Sequence, residues 1–82
     1  MTPDHGEDVH DRAYGVAGAV VERRRALGLR QEDLADLAQV SHRFVQALEA
    51  GKPTVRLDKV VAVLDALGLK LTVVTRARGG QR

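Results

Sequence analysis

The chain contains no cysteine. A disulfide staple and a thiolate metal site are therefore both excluded, and a cytoplasmic setting is the expectation. No apolar run approaches the roughly 18 residues that a membrane-spanning helix needs. The opening stretch, MTPDHGEDVHD, is acidic and lacks the basic start and apolar middle of a signal peptide. Histidine is scarce, with only His5, His10 and His42. No Ser-His-Asp arrangement, phosphate loop or zinc-ligand spacing is present, so neither an enzyme nor a cofactor is expected. His5 and His10 stand among Asp4, Glu7, Asp8 and Asp11, in a stretch without fixed geometry that would support adventitious metal binding at most.

With 82 residues the chain is one small domain. A domain of this size buries only about 60–65% of the surface its unfolded chain exposes and is marginal alone. Association with a second copy is one remedy. The formal net charge is +2, but it is unevenly spread. The first eleven residues hold four acids and no Lys or Arg, which leaves 13 basic against 7 acidic residues, a net of +6, over residues 12–82. A basic body suits a polyanionic partner such as nucleic acid. It equally suits a merely soluble basic domain, so charge alone decides nothing.

Residues 1–10 carry Pro3, Gly6 and many charges with no apolar period, and read as a disordered acidic arm. A helical period begins at Asp11. Ala13, Ala17, Val20, Arg24 and Leu27 recur at steps of three and four, flanked by Val16 and Val21. Gly15 and Gly18 each cost about 1 kcal/mol against Ala in a helix interior, so the firm part of this helix is Ala19 to Ala26. Gly28 can cap it in the left-handed conformation. A second helix covers Gln31 to Ala38, with Leu34, Ala35 and Ala38 inward. Ser41 caps a third helix from His42 to about Ala50, with Val45 and Leu48 on its apolar stripe. Gly51 closes that helix and Pro53 prevents its continuation. A fourth spans Leu57 to Leu67, where Leu57, Val60, Val61, Leu64 and Leu67 fit the period. Gly68 ends it.

Leu69 to Thr75 alternates and is rich in β-branched residues, which reads as one strand over 69–76. A lone strand leaves its backbone groups unpaired on both edges. It either remains a frayed extended tail or pairs with the same strand of a second copy. The expectation is a homodimer joined by an intermolecular sheet. Residues 77–82 are a flexible basic tail, and the domain proper is 11–68.

Two short helices joined by a three- to four-residue turn, the second opened by a capping Ser, meet the physical requirement of a helix-turn-helix. Ala35 is the small inner residue that lets the two helices approach. Val40 is an apolar plug in the turn. The outer face of the second helix of the pair offers Ser41, His42, Arg43 and Gln46.

The segment LGLRQEDLADLAQVSHRFVQALEAGK resembles the helix-turn-helix of the lambda-repressor/Cro (XRE) family, and the likeness covers about Val20 to Leu69. It rests on LGL-x-Q before the first helix of the pair, Leu34-Ala35, Val40-Ser41, Val45, Leu48-Glu49 and Gly51-Lys52. The continuation, GKPTVRLDKVVAVLDALGLKLTVV, is similar to HipB-type regulators. The resemblance implies a mainly α, four- to five-helix lambda-repressor-like fold with a C-terminal β-strand that pairs across a dimer. It also implies roles for residues. Gln31 would contact a phosphate. Ser41, His42, Arg43 and Gln46 would enter the major groove, where Arg43 suits guanine and Gln46 adenine. Lys52, Thr54 and Arg56 would hold the backbone. Phe44 would either touch a thymine methyl or pack beside the first helix, with packing the favoured role. Arg24 and Glu49 match positions that form a partly buried ion pair. Two positions depart from the family pattern. Gln39 stands where Gly is usual because the backbone there is left-handed. Arg30 replaces a capping Thr or Ser and adds positive charge near the DNA.

The expected partner is therefore double-stranded DNA, and the expected function that of a dimeric transcription repressor on a palindromic operator, with no membrane involvement. The rival class is a protein-binding module. HipB-type relatives dock a HipA-like kinase toxin, and in that reading DNA is a second partner. Nothing in the sequence marks a toxin surface.

Overall fold

The structure, a computed structural model, describes the backbone of residues 5–75 and the side chains of residues 15–75. Four α-helices follow one another, α1 (His5–Ala26), α2 (Gln31–Ala38), α3 (His42–Glu49) and α4 (Leu57–Ala66). α2 packs against α3 and α4, and α1 packs against α3. α1 starts six residues before the expected Asp11, so residues 5–10 continue the helix instead of forming an arm. Their acidic composition, which suggested disorder, also suits the positive end of a helix dipole. Residues 1–4 and the basic tail at 77–82 lie outside the described residues.

One apolar cluster holds the helices together. α1 contributes Val20, α2 Leu34 and Ala35, α3 Val45 and Leu48, and α4 Val60, Val63 and Leu64, with Leu67 just beyond. Val40 and Phe44 pack on its margin, as a turn plug and a helix-side residue respectively. The expected stripe of α4 is corrected in part. Leu57 and Val61 are 64% and 38% exposed, and Val63 takes the inner position instead. α4 is apolar around much of its circumference, so two stripes fit a 3.6-residue period equally well. Contact with α2 selects one of them.

All four helices close in the same way. After α1, Leu29 N–H donates to the Arg24 carbonyl and Gly28 N–H to that of Arg25, both at 3.0 Å. This paired pattern is the Schellman motif, which needs a left-handed residue just past the helix. It recurs after α2 (Val40 to Ala35, Gln39 to Asp36), α3 (Lys52 to Ala47, Gly51 to Leu48) and α4 (Leu69 to Leu64, Gly68 to Asp65). Glycine supplies the left-handed residue three times. After α2 it is Gln39, with φ 59° and ψ 43°. A long-range bond supplements the last motif: the Arg23 Nε donates to the Leu67 carbonyl at 2.9 Å, so α1 caps the C-terminus of α4.

The expected strand over 69–76 is not formed among the described residues. Residues 69–75 run on without a ladder partner, and no strand occurs among the described residues. Leu69 is anchored on the core, whereas Val73 and Val74 are 95% and 74% exposed. The reason is topological: every regular element that precedes it among the described residues is a helix and offers no free strand edge to pair with. No helix among the described residues is long and apolar enough to cross a membrane.

Candidate nucleic-acid interface

The turn from α2 to α3 is three residues, Gln39 to Ser41. Ser41 has an extended backbone (φ −75°, ψ 153°), and its hydroxyl oxygen accepts the Phe44 N–H at 3.0 Å. The hydroxyl proton remains to be donated outward. α3 then buries Val45 and Leu48 and turns His42, Arg43 and Gln46 to solvent. Four polar side chains, Ser41 included, thus share the outer face of the first turns of α3. Between them they offer donors and acceptors in the size range of base edges.

A hydrogen-bonded chain positions this face from behind. The Arg24 guanidinium holds the Glu49 carboxylate with two bonds, Nε to Oε2 at 2.6 Å and Nη2 to Oε1 at 3.0 Å. Its Nη1 donates to the Leu29 carbonyl at 2.8 Å. The two side chains are only 11% and 7% exposed, so the pair is largely dry. Glu49 Oε1 also accepts from Gln31 Nε2 at 3.0 Å. This fixes the amide of Gln31 with its oxygen toward His42, whose Nε2 lies 3.3 Å away. An amide oxygen can only accept, so this contact is a hydrogen bond in the tautomer that carries the His42 proton on Nε2. Burial pushes the Glu49 carboxyl up. The Arg24 guanidinium and the Gln31 amide outweigh that and hold it below its usual value.

Gln31 is therefore not simply a free phosphate donor at a helix start. One of its two amide hydrogens is committed to Glu49 and the other remains. Arg30 has no side-chain acceptor to cap α2. Asp33 compensates by accepting the Arg30 backbone N–H at 2.8 Å. That bond, together with the Arg30 guanidinium, lowers the Asp33 carboxyl below its ordinary range. The Arg30–Asp33 contact is at 3.4 Å with Arg30 75% exposed, so the guanidinium faces solvent.

The remaining candidates follow α3. Lys52, Thr54 and Arg56 are exposed. Together with Ser41 and Arg43 they line an open hollow of about 290 Å³ between α3 and the start of α4. The structure thus gathers Ser41, Arg43, Lys52, Thr54 and Arg56 at one place, beside His42 and Gln46. Gln31 and Arg30 belong to the adjoining end of α2. Arg56 is less free than its sequence position suggests: it forms a two-bond pair with Asp58, at 2.7 and 3.1 Å. Arg56 holds the Asp58 carboxyl below its usual range. Sequence reading passed over Lys59, which also lines the hollow. Its signal was a cation in the first turn of a helix, where acids are preferred. Among the described residues no group of His, Cys, Asp and Glu gathers as metal ligands, and the histidines His5 and His10 lie outside the described side chains.

Residues 20–74 match the family model described as Helix-turn-helix. The chain is also similar to an uncharacterised HTH-type transcriptional regulator, y4mF, of Sinorhizobium fredii (strain NBRC 101917 / NGR234). The two are 45% identical over 51 residues, which are 62% of this chain and 67% of that protein.

Proposed function

The chain belongs to the helix-turn-helix family, and on that footing we propose that it is a sequence-specific, DNA-binding transcription regulator whose α3 reads the major groove. The observation that carries this is the exposed polar face of Ser41, His42, Arg43 and Gln46 beside a basic hollow. An α-helix fits the major groove, and the N-terminal residues of the reading helix reach the base edges. Arg43 presents the donor fork that suits guanine. Gln46 presents a donor and an acceptor, which suit adenine. The Ser41 hydroxyl, the second amide hydrogen of Gln31, Arg30, Lys52, Thr54 and Arg56 supply backbone contacts, which fix register without reading sequence.

The regulator works as a homodimer on a palindromic operator, and represses by occupying it. Support for the dimer comes from Leu69 to Thr75, a β-branched segment with exposed Leu71, Val73 and Val74 and no ladder partner among the described residues. Pairing with its copy would satisfy its backbone and set two α3 helices at a fixed spacing. Selection of bound duplexes from random DNA tests both parts. The expected result is a recurring pair of inverted half-sites centred about one helical turn apart, roughly 34 Å, or a multiple of it. Absence of any enriched motif would set the reading aside, and a single half-site would set aside the symmetric dimer.

The likeness to HipB-type regulators adds a second proposed partner, a HipA-like kinase toxin. Leu37 and Leu57, 60% and 64% exposed, offer apolar surface for it. Co-elution with the kinase-like product of a neighbouring gene would support that role, and separate elution at micromolar concentration would remove it.

A further inference from the structure

We propose that Lys59, on α4, is a further contact for a DNA backbone phosphate, seated in the hollow between α3 and α4. The inference rests on the DNA-binding reading above and adds a residue to its interface. The hollow has Arg43, Lys52, Arg56 and Lys59 on its walls, with Phe44 and Val55 as its apolar lining. The Lys59 ammonium lies over the Phe44 ring, 6.0 Å from its centroid. That distance is the outer limit of a cation–π contact. The ring therefore gives the ammonium a seat without matching its charge.

Charge accounting separates Lys59 from its neighbour. Arg56 spends two guanidinium nitrogens on Asp58, so a carboxylate already balances it locally. Lys59 takes part in no ion pair among the described residues. The same Asp58 carboxylate touches Lys59 only through the backbone, accepting its N–H at 2.9 Å. Lys59 is also half-buried and stands in the first turn of α4. The helix dipole disfavours a cation there. A local preference broken with no matching negative charge among the described residues points to a functional position. A phosphate in the hollow supplies the missing negative charge. An ammonium with three rotatable donors meets it as a point charge, with no demand on angle.

The test is the salt dependence of binding. Fluorescence anisotropy with the full chain and a labelled mixed-sequence duplex gives the slope of log affinity against log salt. Loss of one phosphate contact makes that slope shallower by about 0.9, or about 3.5-fold less affinity lost between about 50 and 200 mM salt. Lys59→Gln is expected to show this change and Lys59→Arg to keep the wild-type slope. Lys59→Met, which keeps the apolar stem over Phe44, replaces Lys59→Gln if circular dichroism shows lost helix. A Lys59→Gln slope equal to wild type, with wild-type binding intact, overturns the proposal and leaves the DNA-binding reading standing. A wild-type chain that binds no duplex overturns both.

Discussion

At Gln39 the backbone takes φ 59°, a left-handed conformation that costs an L-residue with a side chain roughly 1–2 kcal/mol. The family resemblance led to that geometry, because Gly is usual at this turn. Gln39→Gly is expected to raise unfolding stability by about 1 kcal/mol, read from the urea midpoint at constant slope. Equal or lower stability would mean that the Gln39 side chain contributes a contact worth as much as the strain. Glu49 carries a second prediction at this scale. Its folded pKa lies below the usual 4.5, so its contribution is fully present above that value and fades as pH falls through the folded one. Wild type is therefore expected to exceed Glu49→Gln in stability at pH 7, with the gap narrowing by pH 3. Asp33 and Asp58 remain in both proteins and cancel in the comparison. A gap that stays constant with pH would show that Glu49 does not titrate with folding.

Among the elements, the boundaries of α2, α3 and α4 were legible because each is framed by local chemistry: Ser41 as a cap, Pro53 as a stop, and Gly51 and Gly68 past the ends. What the sequence hid were choices made by tertiary contact. Leu57 and Val61 lie on one of two apolar stripes of α4, and only packing against α2 decides that Val60, Val63 and Leu64 face inward. The Arg24–Glu49 pair was visible through the resemblance, yet its extension to Gln31 and His42 joins residues from three helices and has no period to betray it. Because the pair is dry on both sides, Arg24→Ala leaves a buried carboxylate unmatched. The expected loss is about 3–5 kcal/mol, comparable to the whole stability of a small domain. Chemical denaturation showing a loss under about 1 kcal/mol would mean that water reaches Glu49. For the C-terminal segment, Leu69 to Thr75 has strand-like composition and forms no strand among the described residues. Deleting residues 69–82 is expected to give monomers by sedimentation while α1 to α4 persist. A truncated chain that stays dimeric would place the dimer contact elsewhere.

On the scale of the whole molecule, the site was more legible than its support. Ser41, His42, Arg43 and Gln46 were marked by alternation with the buried Val45 and Leu48, and all four are exposed together. Lys59 was not marked, because its place in the hollow depends on the fold bringing α4 beside Phe44. The fold thus places the exposed polar face of α3 beside a basic hollow and leaves residues 69–75 without a ladder partner among the described residues. The central claim is that α3 reads bases through its first turns. Its most direct test is to repeat the selection from random DNA with Arg43→Ala. The account predicts that preference relaxes at one base pair of each half-site, at about 1–3 kcal/mol, while the other positions keep theirs. A motif unchanged at every position would contradict it.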